Sequence, residues 1–125
     1  MPVKRLGWKT QTVALTATGS SYKDGTITLD RASVIHDIMA TSHNNADFTL
    51  KVELKGGEPL INGAHRDQVD PANAGRIRIP SPGLVVNPTD IEIRVTNLSG
   101  SSNVVYVTVG YIPVEGNPQE LNVLW

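Results

Sequence analysis

The stretch Phe48-Thr49-Leu50-Lys51-Val52-Glu53-Leu54-Lys55 alternates apolar and polar residues without a break. Successive side chains of a strand point to opposite faces, so this spacing predicts a strand with one face on a core and one in water. Ile91, Ile93 and Val95 alternate with Glu92, Arg94 and Thr96 in the same way. Val105, Val107, Val109 and Tyr111 form a third run, with Val104 and Tyr106 on the opposite face. Apolar residues on both faces place that strand centrally or under a cover.

Working outward, shorter runs fill the gaps. Val13 and Leu15 lie in a Thr-rich segment, and Ile27 and Leu29 follow the turn Lys23-Asp24-Gly25. Residues Val34 to Ala40 are apolar in places on both faces; their β-branched content and length favour a strand over a helix. Ile77 with Ile79, and Leu84 to Val86, complete the set. Turn residues punctuate it at Gly19-Ser20-Ser21, Ser42 to Ala46, Gly56-Gly57, Pro80 to Gly83, Asn87-Pro88 and Asn97 to Asn103. Prolines 80, 82 and 88 predict edge strands nearby, because proline donates nothing to an inner ladder. The class is all-β: a single jelly-roll-like β-sandwich of about eight short antiparallel strands with N- and C-terminal arms. Regular spacing fits a jelly roll and an immunoglobulin-like sandwich equally well.

Length and composition narrow the function. A chain of 125 residues is one domain in size, and its surface-to-volume ratio lets one core hold it unaided. With no cysteine, disulfides, thiol catalysis and zinc–thiolate sites are excluded. The net charge is −1 with both signs scattered, so no basic run can neutralise several phosphates, and no nucleic-acid partner is expected. No stretch has the length of a membrane span, and Lys4-Arg5 is followed by Gly7-Trp8-Lys9 two residues on rather than by an apolar leader. The chain is therefore expected to be soluble, intracellular in origin, and without a membrane partner.

No catalytic constellation emerges, and no cofactor or metal is expected. The polar stretch Asn62 to Gly75 reads as a long loop containing His65, Arg66, Asp67, Asp70 and Asn73. His65-Arg66-Asp67 matches part of the kinase catalytic-loop signature but lacks every accompanying motif. Asp67 and Asp70 could contribute oxygens to calcium, yet their spacing is not that of an EF-hand. The three histidines, His36, His43 and His65, have no short ligand spacing. His36 and Asp37 are neighbours in a predicted strand, so their side chains are expected on opposite faces and not as a His–Asp pair.

The two tryptophans lie outside the predicted strands. The sequence divides into an N-terminal arm (1–9), a sandwich domain (10–113) and a C-terminal tail (114–125). Trp8 sits in the arm beside Arg5, and the tail ends Leu121-Asn122-Val123-Leu124-Trp125. Tryptophan is enriched at interface hot spots, so Trp8, Arg5, Leu121, Val123, Leu124 and Trp125 are the candidate interface residues. Folding of each arm back onto its own sandwich is the competing reading.

The order of features resembles small bacteriophage virion structural proteins of the jelly-roll or β-sandwich type, capsid decoration or cement proteins among them. The parts that carry this likeness are Val13 to Thr18, the turn Ser21-Tyr22-Lys23-Asp24-Gly25, Ser33 to Asn45, Asp47 to Leu54, Leu84 to Val95 with its Asn87-Pro88-Thr89-Asp90 turn, and Val107 to Tyr111. The tail and the Asn62 to Gly75 stretch depart from the pattern. The resemblance implies a non-catalytic protein on the virion, at the capsid surface. Its partners would be the major capsid protein or other virion proteins, and it would form a homo-oligomer, a trimer in the decoration case. A neck, collar or tail-attachment subunit would share the fold but assemble as a ring. A carbohydrate-binding sandwich is the alternative from another class; it needs an aromatic platform, and Tyr22, Tyr106 and Tyr111 are far apart in sequence.

Overall fold

The period-two pattern recurs along the chain because every long strand lays one side on a shared core. The computed structural model describes residues 4–5, 7, 9–55, 59–71, 77–78, 84–86 and 88–115. In chain order the elements are β1 (Lys4–Arg5), β2 (Lys9–Ala17), β3 (Tyr22–Leu29), β4 (Ser33–Ser42), β5 (Phe48–Leu54), β6 (Pro59–His65), α1 (Arg66–Val69), β7 (Ile77–Arg78), β8 (Leu84–Val86), β9 (Thr89–Asn97) and β10 (Asn103–Glu115). The ambiguous segment around Val34 is a strand, with Val34, Ile35, Ile38 and Ala40 buried.

Seven long strands make the sandwich. One sheet runs β2–β10–β4; the short β7 and β8 both pair with the far side of β4, and β1 pairs with the end of β10. The other sheet runs β3–β9–β5–β6, and every pairing is antiparallel. Apart from the step from β1 to β2, the β5–β6 hairpin and the step from β7 to β8, each connection crosses from one sheet to the other. That interleaved order is the jelly roll, with β7 and β8 sharing the position of the eighth strand. Strand spacing alone could not separate it from the immunoglobulin order.

The core lies between the sheets. Phe48, Leu50 and Val52 of β5 and Ile91, Ile93 and Val95 of β9 face Val105, Val107 and Val109 of β10 with Ile38 and Ala40 of β4. Each buried Val, Leu, Ile or Phe side chain contributes roughly 1.5–3 kcal/mol by leaving water. Strand β10 is central, as its two apolar faces suggested, with β2 on one side and β4 on the other. The described part of the proline-flanked segment, β8, lies at a sheet edge. Pro113 falls where β10 passes from β2 to β1, beside the break at Gly7 (φ 99°), so its missing N–H interrupts no ladder bond.

Two expectations need correction. The stretch from Asn62 is not one long loop: β6 continues to His65, and Arg66–Val69 form a helical turn that seats Val69 in the core. His65 caps this turn by accepting from the Asp67 amide, while the Gln68 side chain accepts from the His65 amide. The second correction concerns His36 and Asp37. Gly110 pairs with Asp37 and Tyr111 with Ile35, leaving His36 as the extra residue of a β-bulge. The bulge turns both side chains to the same face, where His36 Nδ1 lies 3.8 Å from Asp37 Oδ1. Both stand over Gly110, where a Cβ would collide with them.

Phe48 is inaccessible to solvent within the core. Phe48→Ala is expected to destabilise the fold by about 3–5 kcal/mol in urea denaturation. A loss below about 1 kcal/mol would mean that this core is not packed as described.

Candidate functional site

Three crossing connections gather at one end of the sandwich: residues 18–21, 43–47 and 98–102. Buried asparagines stitch them together. The Asn97 amide donates to the carbonyls of Ala17, Gly19 and Ser101, and its oxygen accepts from Ser99 and from the Asn103 amide. Asn103 also donates to the Ala46 and Asp47 carbonyls and accepts from the Ser42 hydroxyl at 2.6 Å. A buried polar group costs free energy unless paired, so these side chains hold the loops in one arrangement.

Arg66 extends the stitching to α1. Its guanidinium donates to the Asn45 carbonyl at 2.6 Å, to Asn45 Oδ1, and to the carboxylates of Asp47 and Asp70. Asp70 is fully buried and also accepts from the Thr41 hydroxyl, whereas Asp67 stands out in solvent. The two carboxylates considered for calcium thus have different surroundings. Among the described residues no group of three or more His, Asp or Glu is placed to hold a metal ion.

The two outer faces differ sharply in charge. On the β3–β9–β5–β6 sheet, Asp24, Arg94 and Lys51 form one cross-strand row, and Thr26, Glu92 and Glu53 form the next. Arg94 grips Asp24 with two hydrogen bonds, at 2.7 and 3.1 Å, and lies 3.9 Å from the centre of the Tyr22 ring. The hydrogen bond from Arg94 holds the Asp24 carboxyl below its ordinary value. Lysine opposite arginine and glutamate opposite glutamate are unfavourable pairs, but the rows alternate in sign, and Lys51 Nζ lies 3.9 Å from Glu53. This face is well solvated and neutralises itself.

On the β2–β10–β4 sheet the outer face carries Thr10, Thr12, Ala14 and Thr16, then Val104, Tyr106 and Thr108, then Met39 and Thr41. None of these is charged. Thr12 and Thr108 share a hydrogen bond at 2.9 Å, and His43 packs edge-on against Tyr106. His36 and Asp37 mark the rim. Burial pushes the His36 imidazole below its ordinary value, against the opposing pull of Asp37. Depletion of charge with a central tyrosine is the composition of an interface core. The face can therefore be dehydrated by a partner at little electrostatic cost.

Of the interface residues expected from sequence, Arg5 lies in β1, whose backbone pairs with Val114. Trp8, Leu121, Val123, Leu124 and Trp125 lie outside the described residues. The uncharged face escaped sequence reading, although Thr10 to Ala17 contains no charge; only the pairing of β2 with β10 assembles it. The tyrosines form no single platform: Tyr22 (55 % exposed) and Tyr106 (38 %) lie on opposite sheets, and Tyr111 (7 %) is in the core.

The sequence matches no protein-family model and no curated protein. Solved structures share its fold. A chain in the acid-stable capsid structure of Helicobacter pylori bacteriophage KHP30 aligns with a TM-score of 0.51 at 8 % identity, covering 93 % of this chain and 100 % of that one. PliG of Aeromonas hydrophila, a periplasmic inhibitor of g-type lysozyme, aligns at 0.49 with 15 % identity, covering 85 % and 86 %. A virus-like particle of the extra small virus of the prawn Macrobrachium rosenbergii gives 0.31 at 13 % identity, covering 89 % and 83 %. At these identities the likeness is one of fold.

Asn97→Ala should leave several buried partners unsatisfied and cost on the order of 2–3 kcal/mol in chemical denaturation; a neutral result would remove the stitching role. His36 binds its proton less readily folded than unfolded. Its stabilising contribution is therefore complete above the ordinary imidazole value of about 6.5 and is lost as pH falls through the lowered folded value. His36→Gln should accordingly lose less melting temperature than the parent between pH 7 and pH 5. Equal losses in the two proteins would refute that assignment.

Proposed function

We propose that this chain is a non-catalytic structural protein of a bacteriophage virion, bound in many copies to the capsid surface as a decoration protein. The observation that carries this reading is the uncharged run of outward residues on the β2–β10–β4 sheet, set on a jelly roll whose loops are stitched together at one end. The fold likeness to a chain of the KHP30 capsid structure, over that chain's full length, supports it. A protein that works by docking needs a rigid body, one face that can lose water cheaply and one that stays solvated. Here the β2–β10–β4 face would meet a neighbour, and the charge-alternating face would look outward. Weak contacts repeated over many symmetric copies add up through multivalency.

The major capsid protein is the partner this reading names. In it Trp8 and Arg5 of the arm and Leu121, Val123, Leu124 and Trp125 of the tail supply additional grip. A neck or collar subunit differs in symmetry, forming a closed ring at one vertex instead of covering the shell.

Mass spectrometry of gradient-purified particles, produced from the genome that encodes the chain, tests the proposal. The chain should be present at a copy number comparable with that of the major capsid protein. About a dozen copies would favour the ring, and absence from particles would overturn the virion reading. Deletion of residues 121–125 is expected to reduce the amount retained on particles while leaving the β-sheet circular dichroism unchanged. Undiminished retention would remove the tail from the mechanism.

A further inference from the structure

We infer that two copies of this chain pair edge to edge through β2, antiparallel about a two-fold axis, so that the β2–β10–β4 sheet continues from one copy into the next. A sandwich has four lateral edges, and an unprotected edge is a template for pairing with another chain. Three of the four are blunted here. Strand β6 opens with Pro59, shifts register twice against β5 and contains Gly63 at φ 83°. Among the described residues, the edge beyond β4 consists of two pieces, of two and three residues, and Pro80 and Pro82 lie between them in the sequence. Strand β3 carries Lys23 and Asp24, the latter tied to Arg94.

Strand β2 has none of these protections. It runs nine residues, has no proline or glycine, carries no charge after Lys9, and keeps unbroken register with β10 from Lys9 to Ala17. Among the described residues it pairs with β10 alone. The direction of its backbone groups follows from its neighbours. The His43 amide donates to the Val104 carbonyl, so even-numbered residues at this end of β10 turn their backbone groups toward β4 and odd-numbered ones toward β2. Their β2 partners Lys9, Gln11, Val13, Leu15 and Ala17 therefore carry the shared ladder. The amides and carbonyls of Thr10, Thr12, Ala14 and Thr16 point to the open side, and the side chains of these four residues are exposed.

This edge complements itself, which is why the occupant is a second copy. A two-fold axis at Val13 sets Thr12 opposite Ala14 and Thr10 opposite Thr16, using every outward amide and carbonyl of the four. Lys9 falls opposite Ala17, so the two lysines stand at opposite ends of the pair and no like charges meet. The uncharged outer faces of the two copies then merge into one wider plate. The contact stands on the edge geometry and does not depend on the virion reading. It also differs from the trimer that the sequence resemblance implies, because a two-fold contact is isologous.

Sedimentation equilibrium of the whole chain tests it. The parent should form an even-numbered oligomer. The double variant Thr12→Lys/Ala14→Lys, which sets lysine directly opposite lysine, should be at most half that mass while keeping its circular dichroism and melting behaviour. Mixing it with Thr12→Glu/Ala14→Glu should restore the parental mass as a mixed pair, a rescue that loss of folding could not produce. Thr12→Pro, which removes one outward amide and no backbone bond to β10, should behave like the lysine variant. A monomeric parent overturns the inference. So does an oligomer, a trimer included, whose mass the lysine variant leaves unchanged or that only removal of residues 121–125 dissolves, and so does failure of the charge-swapped mixture to reassociate.

Discussion

Strand β10 has to satisfy its backbone on two sides at once, and the organisation of its sheet follows from that requirement. It spans thirteen residues, with β2 and then β1 along one side and β4 along the other. Buried amides and carbonyls must be paired, so alternate residues bond in opposite directions while alternate side chains face opposite ways. Val105, Val107 and Val109 thereby face the core, and Val104, Tyr106 and Thr108 line the outer face. The irregularities lie where this double ladder is disturbed. Gly110 makes room for the His36–Asp37 bulge, and Pro113 occupies the gap between β2 and β1. A side chain at 110 would collide with the side chains of His36 and Asp37.

The same alternation gives the sandwich two unlike exteriors. On the β3–β9–β5–β6 sheet every second residue is often charged, and antiparallel pairing arranges those charges into rows that offset one another. On β2–β10–β4 the outward residues are threonine, alanine, valine, methionine and one tyrosine, with His36 and Asp37 standing over Gly110 at one end. The core does not require this difference, since both outer faces lie outside it. An outer face stays soluble whether it is charged or Thr-rich, but only the uncharged kind sheds its water readily. Asn97 and Asn103 hold the loops together at one end of the sandwich.

Much of the fold was legible because burial on one side imposes a period of two, and that period survives in Phe48 to Lys55, Ile91 to Thr96 and Val105 to Tyr111. Proline and glycine marked the turns for local reasons of backbone freedom. Local pattern is silent where a helix is opened by an unusual cap or where a residue's role depends on a partner distant in sequence. His65 was seen as part of a loop because histidine is an unusual helix cap, yet Gln68 three residues later completes a capping box that the sequence does contain. The His36–Asp37 pair was misread because alternation assumes an unbroken strand. A bulge is set by the opposite strand, here by Gly110 lying seventy-odd residues away.

The sequence by itself determined the all-β class, the position of six of the seven long strands (all but β6) and which side of each faces the core, because these follow from local alternation and turn chemistry. Tertiary structure alone decided the jelly-roll order over the immunoglobulin order, since strand spacing is blind to which strands become neighbours. It also decided the candidate site. The uncharged face is drawn from β2, β10 and β4, three segments far apart in the chain. The open edge of β2 exists because β10 takes one side of that strand and, among the described residues, no strand takes the other. Faces and edges are properties of pairing, and the pairing of distant strands is settled only when the whole core closes.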